Sequence, residues 1–346
     1  MTADIPEKWS PLTGLPDGAE TWETPGYAKL AASWAKKRQA LKVSSAGQQR
    51  FLAGWLRERN RAFAIETGQI EGLYTLRRGV TEQLIAEGFA GVLGAHTTEG
   101  HDDKTIRGLL EDQEAAYDMM FDDVASGRSL SAYMIKSWHQ LLTQHQETVT
   151  AIDPDGRHVA VPFDTRGQWK KRPNNPRRPD GVIHEYCPPQ QVQSEMDRFL
   201  ELYRDIRKRD CAPNVEAAWL HHRFVRTHPF QDGNGRVSRL LMAWAYISRD
   251  LPPPVITSEG KAAYITALEV ADEGELKVFS DYLGVLALAT LNEANTLAQR
   301  TLDGNLNRPN GNGGRTVGDD YFPPGPEIQD EKPPPRKSMT PRPPKP

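Results

Sequence analysis

Twelve residues constrain this chain more than any others: His228-Pro-Phe-Gln-Asp-Gly-Asn-Gly-Arg-Val-Ser-Arg239. The turn Asp232-Gly233-Asn234-Gly235 mixes glycines with residues that tolerate positive φ. A helix must follow, with Arg236 and Arg239 one turn apart on the same face. A glycine-rich turn feeding a helix N-terminus is an anion site, because free N–H groups and the helix dipole converge there. The two arginines add fixed charge and forked donors suited to phosphate. Asp232 is the single carboxylate of the loop, which suits a hard cation that travels with phosphates, Mg²⁺ above all. His228, just upstream of the turn, can take a proton near neutral pH.

The complete pattern from His228 to Arg239 resembles the signature of Fic-domain proteins, which typically transfer AMP from ATP to a hydroxyl of a target protein. The resemblance implies a role for each residue. His228 takes the proton of an incoming Ser, Thr or Tyr hydroxyl. Asp232 holds Mg²⁺, or Mn²⁺ in its place. Gly233, Asn234 and Gly235 cradle the α-phosphate, Asn234 with its side-chain amide. Arg236 neutralises the leaving pyrophosphate, and Arg239 holds the γ-phosphate. ATP is then the substrate. The partner is a target protein or the chain itself, with a homodimer compatible.

A second motif lies upstream. Read from its residues alone, Glu71-Gly72 is a helix C-terminus with a glycine cap. Beside the first motif, Thr67-x-x-x-Glu71-Gly72 is similar to the family's inhibitory motif, Ser/Thr followed four residues later by Glu and then Gly or Asn. That similarity implies that Glu71 pairs with Arg239 and keeps the γ-phosphate out. The same glutamate could orient a water for removing AMP instead. Two more activities stay open at this point: transfer of another nucleotide or phosphate group on the same fold, and service as a non-catalytic nucleotide-binding adaptor.

The rest of the chain reads as a helical frame. Apolar residues recur at helical spacing from residue 28 onward, with breaks near 44–47. Helices are expected over 48–67 (Phe51, Leu52, Trp55, Leu56 and Phe63 inward), 80–92 and 105–126. Another starts at 129–131, with Tyr133, Ile135, Trp138, Leu141 and Leu142 inward. Further ones cover 190–209, then 215–226 with Asn214 as N-cap, then 235–248, 260–271 and 275–298. His96 and His101 lie in a polar loop without a plausible ligand set, so surface histidines are expected there. The alternation argues for a mainly α domain.

Residues 147–189 break the pattern. Asp153-Pro154-Asp155-Gly156 is a turn signal. A basic, proline-rich stretch follows, then Val182-Ile183-His184 as a short strand. In the resembling family a β-hairpin flap precedes the active loop and docks the target by strand addition. It is expected here over 167–186, with Gly167, Gln168, Trp169, Val182 and Ile183 as docking residues. The expected fold is therefore a Fic-type helical bundle with a small hairpin flap. Its parts are an irregular N-terminus (1–27), an N-terminal helical region with the inhibitory motif (28–125) and a catalytic core (126–300). A disordered, Pro-rich tail (301–346) completes it.

Composition narrows the setting. Among 346 residues, 38% are hydrophobic and the net charge is −3, so no global charge draws the chain to nucleic acid or anionic membrane. Two cysteines, Cys187 and Cys211, cannot build a framework and are expected as free thiols. No apolar run is long enough to span a bilayer, and the first residues lack the pattern of a secretory leader. A cytoplasmic protein is expected.

Overall fold

The computed structural model describes residues 9–76, 78–89, 103–152, 157–176 and 183–305. Within them the predicted apolar stripes become α1 (Tyr27–Lys42), α2 (Ala46–Ile70), α3 (Arg78–Glu87), α4 (Asp103–Ala125) and α5 (Ala132–Leu142). After a two-stranded hairpin come α6 (Val192–Lys208), α7 (Pro213–Thr227), α8 (Asn234–Ile247), α9 (Lys261–Asp272) and α10 (Leu276–Leu302). Both cysteines are free and buried. No helix among the described residues is long and apolar enough to cross a membrane. The polar loop with His96 and His101, Val182 and the Pro-rich tail lie outside the described residues.

The centre of the fold is the pair α7 and α8, which pack along each other. Every residue of α8 except Gly235 is buried. A helix buried all round needs neighbours on every side, and α2, α4 and α5 supply them opposite α7. Helix α10 backs α7 and also packs on α1 and α9. The active loop between α7 and α8 is thus carried by the two best-fixed helices of the molecule.

Helix α2 brings the second motif to the same place. Its start is a capping box, in which Ser45 Oγ accepts from the Gln48 N–H and Gln48 reaches back to the Ser45 N–H. Its end runs three residues past the predicted stop, so that Glu71 is the C-cap. Gly72 takes φ 71°, Leu73 N–H donates to Gly68 C=O (3.1 Å) and Gly72 N–H to Gln69 C=O (3.0 Å). This is a Schellman motif, and it fixes where the Glu71 side chain leaves the helix. Gly68 matters for another reason: a Cβ there would fall on the Tyr74 ring, whose hydroxyl donates to Ile65 C=O at 3.2 Å. Gly68→Ala is expected to lower stability by about 1–3 kcal/mol through overpacking, read as a reduced urea midpoint.

Two expectations change. Asn214 is not an N-cap: Pro213 opens α7 two residues ahead of the expected start, its fixed φ suited to the first helical position. Asn214 is buried instead and donates to Ser280 Oγ of α10 at 2.9 Å. Tyr133 faces outward, 78% exposed, because α5 presents Met134, Ile135, Trp138 and Leu142 to the core.

A regular hairpin stands ahead of the expected flap. The regular hairpin is β1 (Thr148–Ile152) against β2 (His158–Pro162), antiparallel with Thr148 opposite Pro162. It lies ahead of the predicted 167–186. Alternating β-branched residues favour strands here, whereas Pro173 and Pro176 lack the N–H a ladder needs. Of the expected flap, residues 177–182 lie outside the described residues; on either side of them His184 N–H donates to Pro176 C=O (3.1 Å) and Tyr186 N–H to Asn175 Oδ1 (3.0 Å).

Candidate active site

Helix α7 ends at His228, because Pro229 disfavours further helix. His228 caps it in the left-handed region at φ 48°. Its Nδ1 faces the Val225 carbonyl at 3.2 Å, and a carbonyl only accepts, so Nδ1 carries the proton. Nε2 then has its lone pair free. Burial, aided by the nearby Lys170 charge, pushes the imidazole down to about 3, so the ring is neutral.

The loop that follows is braced from inside. Phe230 is buried and lies flat against the His139 ring, 3.7 Å between centroids and 8° between planes. Asn234 is buried. Its Oδ1 accepts from the Phe230 N–H and its Nδ2 donates to the Phe230 carbonyl, each at 2.9 Å. The amide staples the loop shut because Pro229-Phe230 offers backbone groups that nothing else in the turn satisfies. Gly233 takes φ 79° just before α8, where a side chain would be strained.

Asp232 accepts from Gln146 Nε2 on one oxygen and from the Gly233 N–H on the other, both at 2.6 Å. Burial works against its charge, but Arg236 with these donors holds the carboxyl below its ordinary range. Arg236 lies 3.7 Å from Asp232. Its guanidinium is fully buried and donates to Leu142 C=O (3.0 Å) and Gln146 Oε1 (2.6 Å). Arg236 thus supports Gln146 and Asp232 from behind.

The first intrahelical bond of α8 runs from the Val237 N–H to Gly233 C=O. The N–H groups ahead of it form the helix's anion-binding end. The Glu71 carboxylate lies there: a Cβ on Gly235 would fall on it. The same carboxylate pairs with Arg239 at 2.6 Å. Arg239 is buried, and it further touches Thr67 Oγ1 and Thr67 C=O (3.4 Å each) and the Tyr264 hydroxyl (3.3 Å). Burial weakens a cation, but Glu71 more than offsets it and strengthens the Arg239 charge.

A profile of the Fic/DOC family matches residues 129–246, the segment from the start of α5 nearly to the end of α8. Over those residues the chain carries a Fic domain. Protein adenylyltransferase fic-1 of Caenorhabditis elegans is 33% identical over 95 residues, 28% of this chain and 19% of that protein. Protein adenylyltransferase Fic of Aedes aegypti is 38% identical over 79 residues, 23% of this chain and 16% of that protein. The matched segment thus spans about a fifth or less of these relatives. The fold extends further. A Fic domain containing signaling protein from Bacteroides thetaiotaomicron superposes with TM-score 0.60 at 20% identity, covering 79% of this chain and 98% of that one. Fic-1 of C. elegans superposes at 0.56 and 22% identity, over 78% of this chain and 71% of that one.

Several residues of this Fic domain escaped the sequence reading. His139 accepts the Gly167 N–H on Nδ1 (2.9 Å), so its Nε2–H donates to the Asp232 carbonyl (2.9 Å). Gln146 bridges Asp232 and Arg236. Their partners lie 93 and 86 residues away in sequence, so no local spacing marks them. Gly167 and Trp169, expected to dock a target, brace the loop: Gly167 through His139, Trp169 with its ring 4.8 Å from Phe230. Gln168 turns back on Thr165 C=O (3.0 Å), and Ile183 is 40% exposed.

A divalent cation fits this loop in one way. Among the described residues no three His, Cys, Asp or Glu gather as a ligand set. Asp232, held charged, would be the single protein ligand, with phosphates and water supplying the rest, a mode natural to Mg²⁺.

The buried histidines carry a stability prediction. His139, His221, His222 and His228 are all pushed below the ordinary 6.5 by burial, His139 and His228 to about 3. The unfolded chain takes up protons at these sites below about pH 6.5 while the folded chain resists. For His139 and His228 the favourable state is intact above pH 6.5 and is lost progressively toward pH 3, each steepening the loss by about 1.4 kcal/mol per pH unit. Urea midpoints at pH 7, 6 and 5 check the sign.

Proposed function

We propose that this chain is a protein adenylyltransferase whose own Glu71 holds it off. The Glu71 carboxylate carries this reading: it bonds Arg239 and rests over Gly235, so an anion of the chain stands where a phosphate would bind. Both the basic residue and the helix end were built for an anion, and Glu71 serves as a removable substitute.

Once Glu71 moves aside, Arg239 takes the γ-phosphate of ATP and the N-terminal N–H groups of α8 receive the α-phosphate side. Gly235 matters because no Cβ blocks that approach. Asp232 would hold Mg²⁺, which when bound offsets the phosphate charge. His228 Nε2 accepts the proton of a target hydroxyl as its oxygen attacks the α-phosphorus. The bond to the bridging oxygen breaks, pyrophosphate departs and AMP remains esterified to the target. The exposed Ile183 beside the loop is where we place the target segment, and the chain itself can be that target.

The test uses Glu71→Gly protein with ATP labelled in the α- or the γ-phosphate. Label from the α-position, and none from the γ-position, should enter protein. Entry of γ-label would make the reaction phosphate transfer and overturn the reading.

A further inference from the structure

Between β2 and α6 the chain returns to the active loop at further points besides Trp169. The Lys170 N–H donates to Pro229 C=O (2.7 Å), and Asn174 Nδ2 donates to Phe230 C=O (2.8 Å). Further on, Tyr186 lays its ring flat on the ring of His228, 3.8 Å between centroids and 2° between planes. The proposed mechanism uses none of these contacts.

Tyr186 is itself held in place. Its N–H donates to Asn175 Oδ1 at 3.0 Å, and the His184 ring meets it edge-on at 4.8 Å. The Lys170 ammonium stands 5.7 Å from its centroid and is anchored on Asn174 Oδ1 at 2.8 Å. Lys170 is only 3% exposed. A buried lysine, an amide and an aromatic ring thus form one braced unit behind the histidine.

The stack changes what His228 can do. The Nδ1 bond to Val225 restrains one edge of the imidazole and leaves the ring able to tilt about that edge. A ring pressed parallel against it removes the tilt. The Nε2 lone pair lies in the imidazole plane, so fixing the plane fixes the line along which a proton can arrive. Rates of proton transfer depend on that alignment. The Tyr186 face is also electron-rich, and positive charge develops on the imidazole as Nε2 gains its proton.

We infer that Tyr186 is a positioning residue for His228, holding the imidazole plane in line for proton transfer from the target hydroxyl. Its catalytic consequence rests on the adenylyl-transfer reading; its hold on the ring does not.

The experiment compares Tyr186→Phe and Tyr186→Leu in the Glu71→Gly protein, with Tyr186→Met as a second ringless variant should Leu unfold the loop. Two readouts are taken: AMP transfer kinetics with ATP affinity, and the His228 imidazole resonances in histidine-labelled protein without nucleotide. Tyr186→Leu should lower kcat by about 10- to 100-fold, the scale of a misaligned reacting group, with ATP affinity unchanged. Its His228 resonances should lose the upfield shift imposed by a stacked ring. Tyr186→Phe should keep that shift and most of the rate. Unmoved His228 resonances in Tyr186→Leu, or an undiminished kcat, would overturn the inference. If Glu71→Gly itself transfers no AMP, the adenylyl-transfer reading fails, and the resonances alone decide whether Tyr186 holds the ring.

Discussion

Glu71→Gly should raise AMP transfer by about two orders of magnitude or more over the wild type, because it removes one partner of a largely desolvated ion pair worth about 3–5 kcal/mol to break. The Glu71–Arg239 contact is 2.6 Å, with Arg239 almost wholly buried. Nothing else among the described contacts of Arg239 carries a full negative charge: Thr67 offers a hydroxyl and a carbonyl, Tyr264 a hydroxyl. Without Glu71 the guanidinium therefore has a strong reason to take the γ-phosphate. The same change clears the space above Gly235. Thr67 and Tyr264 still hold Arg239 in its place, so the variant should fold and bind ATP more tightly. Calorimetric titration of ATP into the two proteins checks the binding half, and initial rates of labelling check the transfer half.

His228→Ala should abolish most of that gain, with a fall in rate of about 10²- to 10⁴-fold, the range for losing a positioned general base. The imidazole meets three requirements of such a base. It is neutral, its Nδ1–H is fixed on Val225, and its Nε2 is free. It lies at the end of α7 and takes no part in the anion site of α8. Affinity for ATP should consequently change little in His228→Ala. A parallel loss of binding would place His228 in phosphate recognition instead. Measuring kcat and ATP affinity on Glu71→Gly and Glu71→Gly/His228→Ala separates the two.

The loop chemistry was legible in sequence because its parts are contiguous: base, turn and helix start follow one another within His228–Arg239. The frame was legible because α7, α8 and α10 carry their apolar residues at helical spacing. The place of Glu71 came from resemblance alone, since no local signal ties α2 to a partner on α8. The partners that Asn234 and Arg236 take within the loop were not legible, because they depend on Phe230, Leu142 and Gln146, which only the fold brings near. His139, Gln146 and Tyr186 were missed because each meets its partner only through the fold. The β1–β2 hairpin also had signals in the sequence: alternating β-branched residues over 148–152 and 158–162, with Asp-Pro-Asp-Gly between them.

The most direct measurement is intact mass of the wild type, Glu71→Gly and Glu71→Gly/His228→Ala after incubation with Mg²⁺ and ATP. The account predicts the mass of AMP added to Glu71→Gly, little on the wild type and none on the double variant. Equal adducts on wild type and Glu71→Gly, or an adduct that survives the loss of His228, would contradict it.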